Sequence, residues 1–216
     1  MHTGKDHIIK SYDTELDRLT GEIARMGELA VKQLEAAVQL VERRDDRAAR
    51  RVVDNDDAID HMEHQISQDV VRLLALRAPM ARDLREVFAA LRVASDIERI
   101  GDYGTNIAKR TIPLSMLTPV ATAHGLKQLA ELAATGVRKV LHAYRDMDAD
   151  AAYQVWKEDV RLDQAFTSVF RELLTYMMED PRSITACTPL LFMAKNIERI
   201  GDHATNIAEN IWYVVK

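Results

Sequence analysis

The strongest constraint on the fold of this 216-residue chain is a segment that occurs twice. Residues 96–108 return as residues 196–208 with changes at only three of thirteen positions. A weaker repeat, at an offset of 103 rather than 100 residues, matches Asp45, Val52, Asp56, Ile59 and Asp60 with Asp148, Val155, Asp159, Leu162 and Asp163. The chain is therefore predicted to hold two copies of one unit of about 100 residues, a length that buries a modest core.

Apolar residues recur at intervals of three and four along most of the chain, which is the period of an amphipathic helix. Only eight Gly and five Pro interrupt this pattern. We predict an all-α fold of two tandem, similar three-helix bundles, since short connections make neighbouring helices antiparallel. The six helices are predicted at about residues 6–43, 46–77, 80–110, 119–146, 149–179 and 183–214. The first bundle is placed at 1–112, a linker at 113–118 and the second bundle at 119–216.

Composition argues against several classes of protein. The net charge of -5 and the lack of a dense Lys/Arg run argue against nucleic-acid binding. A single cysteine, Cys187, excludes an internal disulfide and fits a reducing compartment. No signal peptide is recognised at the N-terminus, and no apolar run approaches the ~20 residues of a membrane helix. We expect a cytoplasmic protein that reaches a membrane only through partners.

Two of the predicted helices turn polar on the face that should be buried. In the third helix, Leu84, Val87, Leu91 and Ala94 are followed on the same face by Glu98, Asp102, Thr105 and Asn106. The sixth helix repeats this with Glu198, Asp202, Thr205 and Asn206. Acids four residues apart repel each other by roughly 0.2–0.5 kcal/mol in an isolated helix, so a compensating partner is expected.

The second helix of each copy carries a matching pair of acids, so four carboxylates are expected to converge in each bundle. All-oxygen clusters of this kind suit Mg, Ca, Mn or iron, and bridging carboxylates can hold more than one ion. The eight predicted metal ligands are Asp56, Asp60, Glu98, Asp102, Asp159, Asp163, Glu198 and Asp202. His203 is a candidate nitrogen ligand in the second copy, where the first copy has Tyr103.

The acidic pairs can also exist without a metal. A pair of acids on a helix is commonly a solvated face, although its recurrence on matched helices weakens that interpretation. Arg99 and Arg199 offer partial neutralisation of the Asp three residues on, whereas a Glu one residue before is expected to be out of reach. Gly101 and Gly201 lie in mid-helix at a cost of about 1 kcal/mol, which close helix approach or room for a cluster would explain.

No constellation for covalent or acid–base catalysis is present in the sequence. The chain has no Glu-x-x-His motif of di-iron oxidases, no glycine-rich phosphate loop and no Gly-x-Ser-x-Gly. We therefore predict that it is not an enzyme. A hydrolase using clustered metals, a metal-free helical scaffold and phosphate binding through a bound metal remain as alternatives.

The doubled Ile-Glu-Arg-Ile-Gly-Asp-x-x-Thr-Asn-Ile-Ala resembles the signature of the PhoU family, regulators of phosphate-specific transport in bacteria. The segment Ile9 to Leu16 also resembles the start of that family, and the likeness covers essentially the whole chain. The resemblance implies two three-helix bundles with metal clusters of iron, zinc or manganese on the same four acidic pairs. The first copy departs from the second with Tyr103-Gly104 in place of His203-Ala204. Pro189 is expected to kink or restart the sixth helix.

The resemblance also implies a function. It predicts a negative regulator of the phosphate-starvation response and of phosphate uptake, which connects the phosphate ABC transporter, through its ATPase subunit, with a phosphate-sensing histidine kinase. It further implies a homodimer. A signalling adaptor of this kind fits the repeat, the acidic pairs and the missing nucleophile.

Overall fold

The structure, a computed structural model, describes residues 3–43, 45–54, 56–77, 79–117 and 123–216, with side chains from residue 14 onward except at 82, 123 and 124. These residues form seven α-helices and one short 3-10 helix at Pro181–Ser183. The α-helices are α1 (Thr3–Arg43), α2 (Asp46–Asp54), α3 (Asp57–Arg77), α4 (Arg82–Leu114), α5 (Ala123–Asp146), α6 (Ala149–Glu179) and α7 (Ile184–Val215). The predicted all-α fold is confirmed, and the described ranges contain no strand.

The helices assemble as two three-membered bundles on one continuous core. The first contains α1, the pair α2 and α3, and α4, and the second contains α5, α6 and α7. Between the bundles, α1 packs against α5 and α4 against α7. Each of these contacts joins a helix to its own counterpart in the repeat, as expected for two units related by an approximate twofold axis. No helix in the described part of the chain is both long enough and apolar enough to cross a membrane.

Equivalent aspartates start the second helix of each copy. Asp45 Oδ1 accepts the N–H of Ala48 at 2.9 Å before α2, and Asp148 Oδ1 accepts those of Asp150 and Ala151 at 3.0 and 2.9 Å before α6. Such N-caps stabilise a helix by about 1 kcal/mol. The Asp45–Asp148 match in the weaker repeat therefore reflects a shared helix start.

The helix predicted over residues 46–77 is divided, whereas its counterpart α6 is continuous. α2 ends at Asp54 and α3 begins at Asp57, with the carbonyl of Asp56 accepting the N–H of Ile59 at 2.9 Å. The sequence at 54–57 is Asp-Asn-Asp-Asp, a run of residue types that disfavour a helix interior because short polar side chains can compete for backbone hydrogen bonds. At the matching positions 157–160, α6 has Lys-Glu-Asp-Val. The break places the Asp56 carboxylate at the start of α3.

One helix end and one mid-helix proline differ from expectation. α4 extends past residue 110 to Leu114, so the first two residues of the predicted linker are helical and residues 115–117 form turns. Residue 118 lies outside the described residues. α7 runs through Pro189 as one helix rather than restarting there, because a proline removes one backbone hydrogen bond while the rest of the helix remains packed in the core.

Candidate metal centres

The first bundle brings three of its four predicted ligands together. Asp60 on α3 and Glu98 and Asp102 on α4 each offer a carboxylate oxygen within 4.8 Å of the others. Glu98 and Asp102 are one helical turn apart and half-buried, while Asp60 is more exposed. Carboxylate oxygens at this spacing are the donor set that hard cations prefer. The arrangement fits the predicted metal site, and the ion itself stays a prediction.

The electrostatics of this cluster show carboxylates held close without enough positive charge. Burial raises the pKa of Glu98, the Asp102 carboxylate raises it further, and Arg99 lowers it. Desolvation also raises the pKa of Asp60, with further contributions from Asp56 and Asp102. Each shift reports a charged form that is less favourable in the fold than in water. A bound cation would relieve this repulsion.

The fourth predicted ligand, Asp56, is tied to a residue that the sequence did not single out. Gln33 on α1 is 9% exposed, and its Nε2 donates to Asp56 Oδ1 at 2.9 Å. The same nitrogen lies 3.1 Å from the Gly101 carbonyl oxygen and 2.5 Å from Thr105 Oγ1, both on α4. Gln33 on α1 thus connects this helix to α4 and to Asp56 before α3, next to the carboxylate cluster.

In the second bundle the four predicted ligands are neighbours in a looser arrangement. Burial raises the pKa of Asp159 to about 6, and the carboxylates of Asp163, Asp202 and Glu198 add to the shift. Across the described ranges, no second group of three carboxylates reaches the 4.8 Å spacing. Lys195 Nζ lies 2.6 Å from the Glu198 carboxylate, and the residue at the matching position of the first copy is Ser95. Lys195 thus pairs with Glu198 from a position where the first bundle has the hydroxyl of Ser95.

Two predicted contributors of the second site point elsewhere. His203 Nδ1 lies 2.8 Å from Asp96 Oδ1 on α4, so this nitrogen faces the contact between the bundles. Asn206 Nδ2 donates to the same oxygen at 3.3 Å, and the rings of Tyr103 and His203 are 5.7 Å apart. Asn206 lies one helical turn after Asp202, but its side chain bonds across the α4–α7 contact. Asp96 therefore engages Nδ1 of His203, and a nitrogen ligand from His203 stays a prediction that only Nε2 could fulfil.

The arginine of the first copy contacts both acids next to it. Arg99 Nη1 lies 3.3 Å from Asp102 Oδ2, as the three-residue spacing predicted. Its Nε also lies 3.6 Å from Glu98 Oε2, so the expectation that adjacent residues would not pair was wrong. A long side chain can fold back along the helix surface. Both contacts are solvent-exposed, and such pairs contribute little, about 0–1 kcal/mol.

The repeated mid-helix glycines permit close helix approach, which is one of the two explanations that the sequence left open. A Cβ on Gly101 would lie 2.9 Å from Ile59 Cδ1, and a Cβ on Gly201 would overlap Leu162 and lie 3.0 Å from Asp159 Oδ1. The glycines therefore let the helix with the Asp pair approach the helix with the Glu/Asp pair.

Gln33 and Lys195 are the two functional neighbours that sequence reasoning missed. Gln33 lies among the apolar residues of a predicted helix stripe, and a buried amide at such a position is a signal that it has polar partners. Lys195 is three residues before Glu198, a spacing that permits a pair. When the repeats are aligned, Gln33 corresponds to Gly136 and Lys195 to Ser95, so the alignment shows that the two copies differ at these positions.

Comparison with known proteins gives one family twice along the chain. The family model described as the PhoU domain matches residues 23–111 and again residues 126–211. A Xylella fastidiosa protein named phosphate-specific transport system accessory protein PhoU homolog is 60% identical over 209 residues, which is 97% of this chain and 88% of that protein. A Rhizobium meliloti protein of the same name is 47% identical, covering 96% of this chain and 88% of that one.

Solved structures agree with this result. The crystal structure of PhoU from Pseudomonas aeruginosa superimposes with a TM-score of 0.89 at 36% identity, covering 94% of this chain and 98% of that chain. The phosphate transport system regulatory protein PhoU from Streptococcus pneumoniae gives a TM-score of 0.88 at 28% identity, with 95% and 97% covered.

Proposed function

This chain belongs to the PhoU family, whose members are regulatory accessory proteins and not enzymes, and we propose that it restrains phosphate uptake and represses the phosphate-starvation response. Its near full-length match to relatives named as accessory proteins of the phosphate-specific transport system supports this role. The partners would be the ATPase subunit of the phosphate ABC transporter and a phosphate-sensing histidine kinase. Both contacts would be made in the cytoplasm.

The observation that carries the metal-dependent part of the proposal is the group of Asp60, Glu98 and Asp102 within 4.8 Å. A divalent or trivalent cation, iron, zinc or manganese, would neutralise these carboxylates and tie α3 to α4. In the second bundle the ligands would be Asp159, Asp163, Glu198 and Asp202. The chemistry supplied by the ion is charge neutralisation and cross-linking of helices, which would fix the helix surfaces that partners recognise.

An exposed aromatic cluster supports contact with other proteins. Tyr153 and Trp156 on α6 stack with ring centroids 5.9 Å apart, and Tyr153 meets Trp212 on α7 at 5.5 Å. These three side chains stay 38–50% exposed. Aromatic residues are enriched at protein–protein interfaces, and contiguous exposed apolar patches mark interaction sites. A homodimer is also part of the proposal, and light scattering of the purified chain would test it.

Elemental analysis separates the metal-dependent and metal-free forms of the proposal. Protein purified without chelator or nickel should contain iron, manganese or zinc in at least stoichiometric amount. The Glu98→Gln, Asp102→Asn, Glu198→Gln, Asp202→Asn variant should lose it. A matched variant removes four exposed acids elsewhere and should keep the metal: Asp17→Asn, Glu131→Gln, Glu179→Gln and Glu209→Gln.

The regulatory role is tested in cells that lack the native gene. Expression of the wild-type chain should silence a phosphate-starvation reporter at high phosphate, and so should the four-acid control. The metal-site variant should leave the reporter active. A metal-free wild-type protein that silences the reporter would refute the metal-dependent form while keeping the regulator, whereas a reporter that stays active with the wild type would refute the regulator.

A further inference from the structure

A cavity of about 100 Å³ opens beside Asp159 between the three helices of the second bundle. Its walls include Gly136 on α5, Asp159 on α6, and Gly201 and Thr205 on α7. A Cβ added to Gly136 would meet no atom within 4 Å, so the space begins at the α5 backbone. A cavity of this volume exceeds what a single water needs and has room for several waters or a small organic group.

The first bundle shows what this space is built to hold. Gly136 aligns with Gln33 and Asp159 with Asp56, both at the offset of 103, while Gly201 and Thr205 align with Gly101 and Thr105 at the offset of 100. In the first bundle the Gln33 side chain fills this position, and its nitrogen lies within 3.1 Å of an acceptor on each of the three counterparts. The cavity is the space that a missing side chain would occupy.

The two copies also differ at a second pair of aligned residues, where the first copy, and not the second, has the glycine. Gly104 lies where a Cβ would meet the Leu34 backbone nitrogen at 3.3 Å and Gln33 Cγ at 3.4 Å. Its counterpart in the second copy is Ala204, which lines the cavity opposite Gly136. The first copy thus combines glutamine with glycine, and the second combines glycine with alanine. The second arrangement leaves Asp159, Gly201 and Thr205 at the cavity wall without the amide that their counterparts share, and the Thr205 hydroxyl donates instead to the Asp202 carbonyl oxygen at 2.7 Å.

The acceptors favour a donor with more hydrogens than an amide. In the first bundle one –NH₂ group, with two hydrogens, serves three oxygens, whereas a primary ammonium supplies three donors. Asp159 also has Asp163, Asp202 and Glu198 as electrostatic neighbours, so the interior favours positive charge. At the rim, Lys139 is paired with Glu158 at 2.5 Å and Arg161 is exposed.

We propose that this cavity binds a primary ammonium group, which takes the place that the Gln33 amide occupies in the first bundle. The group would donate to the Asp159 carboxylate, the Gly201 carbonyl and the Thr205 hydroxyl. Its carbon chain would lie along the Gly136 backbone. Two sources share this chemistry, a free short alkylamine and the end of a lysine side chain from a partner protein.

Amide NMR shifts of the isotopically labelled full chain provide the test, with ethylammonium chloride as the probe. A ligand of three non-hydrogen atoms makes few contacts, so the expected Kd is in the millimolar range. Shifts should concentrate at Gly136, Gly201 and Thr205, and tetramethylammonium chloride, which has no N–H, should not produce them. Equal shifts with both salts would overturn the proposal.

The Gly136→Gln, Ala204→Gly variant rebuilds the arrangement of the first bundle and should weaken ethylammonium binding at least tenfold. Gly21→Gln is the matched control, since Gly21 on α1 is exposed and a Cβ there also meets nothing within 4 Å. It should bind as the wild type does. If the double variant does not fold, Gly136→Val occupies the cavity alone. Unchanged binding in a folded variant with the cavity filled would overturn the proposal.

A second probe distinguishes the two sources, and chelator separates this site from the metal sites. Nα-acetyl-lysine methylamide binding at least tenfold tighter than ethylammonium indicates a lysine side chain, whereas tighter ethylammonium binding indicates a free amine. All titrations are run in chelator, because the proposed ammonium contacts need no metal. Ethylammonium binding in chelator would support this site whatever the metal content, whereas elemental analysis of protein purified without chelator decides the metal-dependent function. Binding by a protein that is metal-free in that analysis would support this site and refute the metal-dependent function, and a metal-loaded protein that does not bind ethylammonium in chelator would do the opposite.

Discussion

In the first bundle, the second helix breaks at Asp56 and the Gln33 amide fills the space beside it, while Asp60, Glu98 and Asp102 converge within 4.8 Å. In the second bundle, α6 is continuous, Gly136 leaves a cavity, and Lys195 engages Glu198. The acidic pairs are the same in both. We therefore attribute the difference in carboxylate spacing to the neighbouring residues rather than to the carboxylates themselves.

Among the predicted effects, the loss of unfolding free energy caused by Gln33→Leu in the first bundle should be the largest. The substitution keeps the side-chain volume but removes the donor for Asp56 and Thr105, and leaving such acceptors unsatisfied costs about 1–3 kcal/mol. We expect the free energy of unfolding in urea, followed by circular dichroism, to fall by about 2 kcal/mol. Gln39→Leu, at an exposed position of the same helix, should change it by less than about 0.5 kcal/mol. Equal changes in the two variants would show that the Gln33 network adds no stability.

The second bundle should instead account for most of the pH dependence of the unfolding free energy of the metal-free protein. Asp159 has its pKa raised from 3.8 to about 6 by burial and by its acidic neighbours. Between these values the folded state holds a proton that the unfolded state has released, so the stability present at low pH is lost as pH rises through about 6. The shift corresponds to about 3 kcal/mol at most, and solvent screening of this half-exposed group reduces that to about 1 kcal/mol.

Urea unfolding in chelator at pH 4 and pH 7 measures this effect. Asp159→Asn should flatten the difference between the two pH values and stabilise the metal-free protein at pH 7. Asp60→Asn should act in the same direction, since the pKa of Asp60 is also raised. A pH dependence left intact by Asp159→Asn would place its origin elsewhere. With metal present the sign should reverse, because the ion binds the deprotonated carboxylates.

Substitution by alanine should change the stability differently at two glycines, one beside open space and one in close contact with a neighbouring helix. Gly136→Ala adds a methyl group into open space, and alanine is favoured over glycine in a helix by about 1 kcal/mol, so a gain of about 0.5–1 kcal/mol is expected. Gly104→Ala adds one 3.3 Å from the Leu34 backbone nitrogen, which should cancel the same gain. Thermal unfolding of the two variants measures the difference. Equal gains would mean that α1 and α4 are free to separate.

The sequence was sufficient for the architecture and for much of the cluster. The doubled motif and the helical period specify two helical units, and the four-residue spacing puts Glu98 and Asp102 on one face of α4. Distances between helices do not follow from spacing along one helix. The reach of Gln33 across the bundle, the direction of His203 towards Asp96 and the break before α3 depend on how helices pack or on local competition for hydrogen bonds.

The smallest expected effect concerns the residue three positions before each Glu. Lys195→Ser gives the second copy the hydroxyl of the first, and it frees Glu198 from an ion pair worth about 0.5–1 kcal/mol at this partly exposed site. Manganese affinity of the second site should therefore rise a few-fold, measured by calorimetry in a Glu98→Gln, Asp102→Asn background. Ser95→Lys, measured in a Glu198→Gln, Asp202→Asn background, should lower the affinity of the first site by a similar factor. If exchanging these residues leaves both affinities unchanged, the looser second cluster must be attributed to the two other differences next to the acids, which are its continuous helix and the replacement of Gln33 by Gly136.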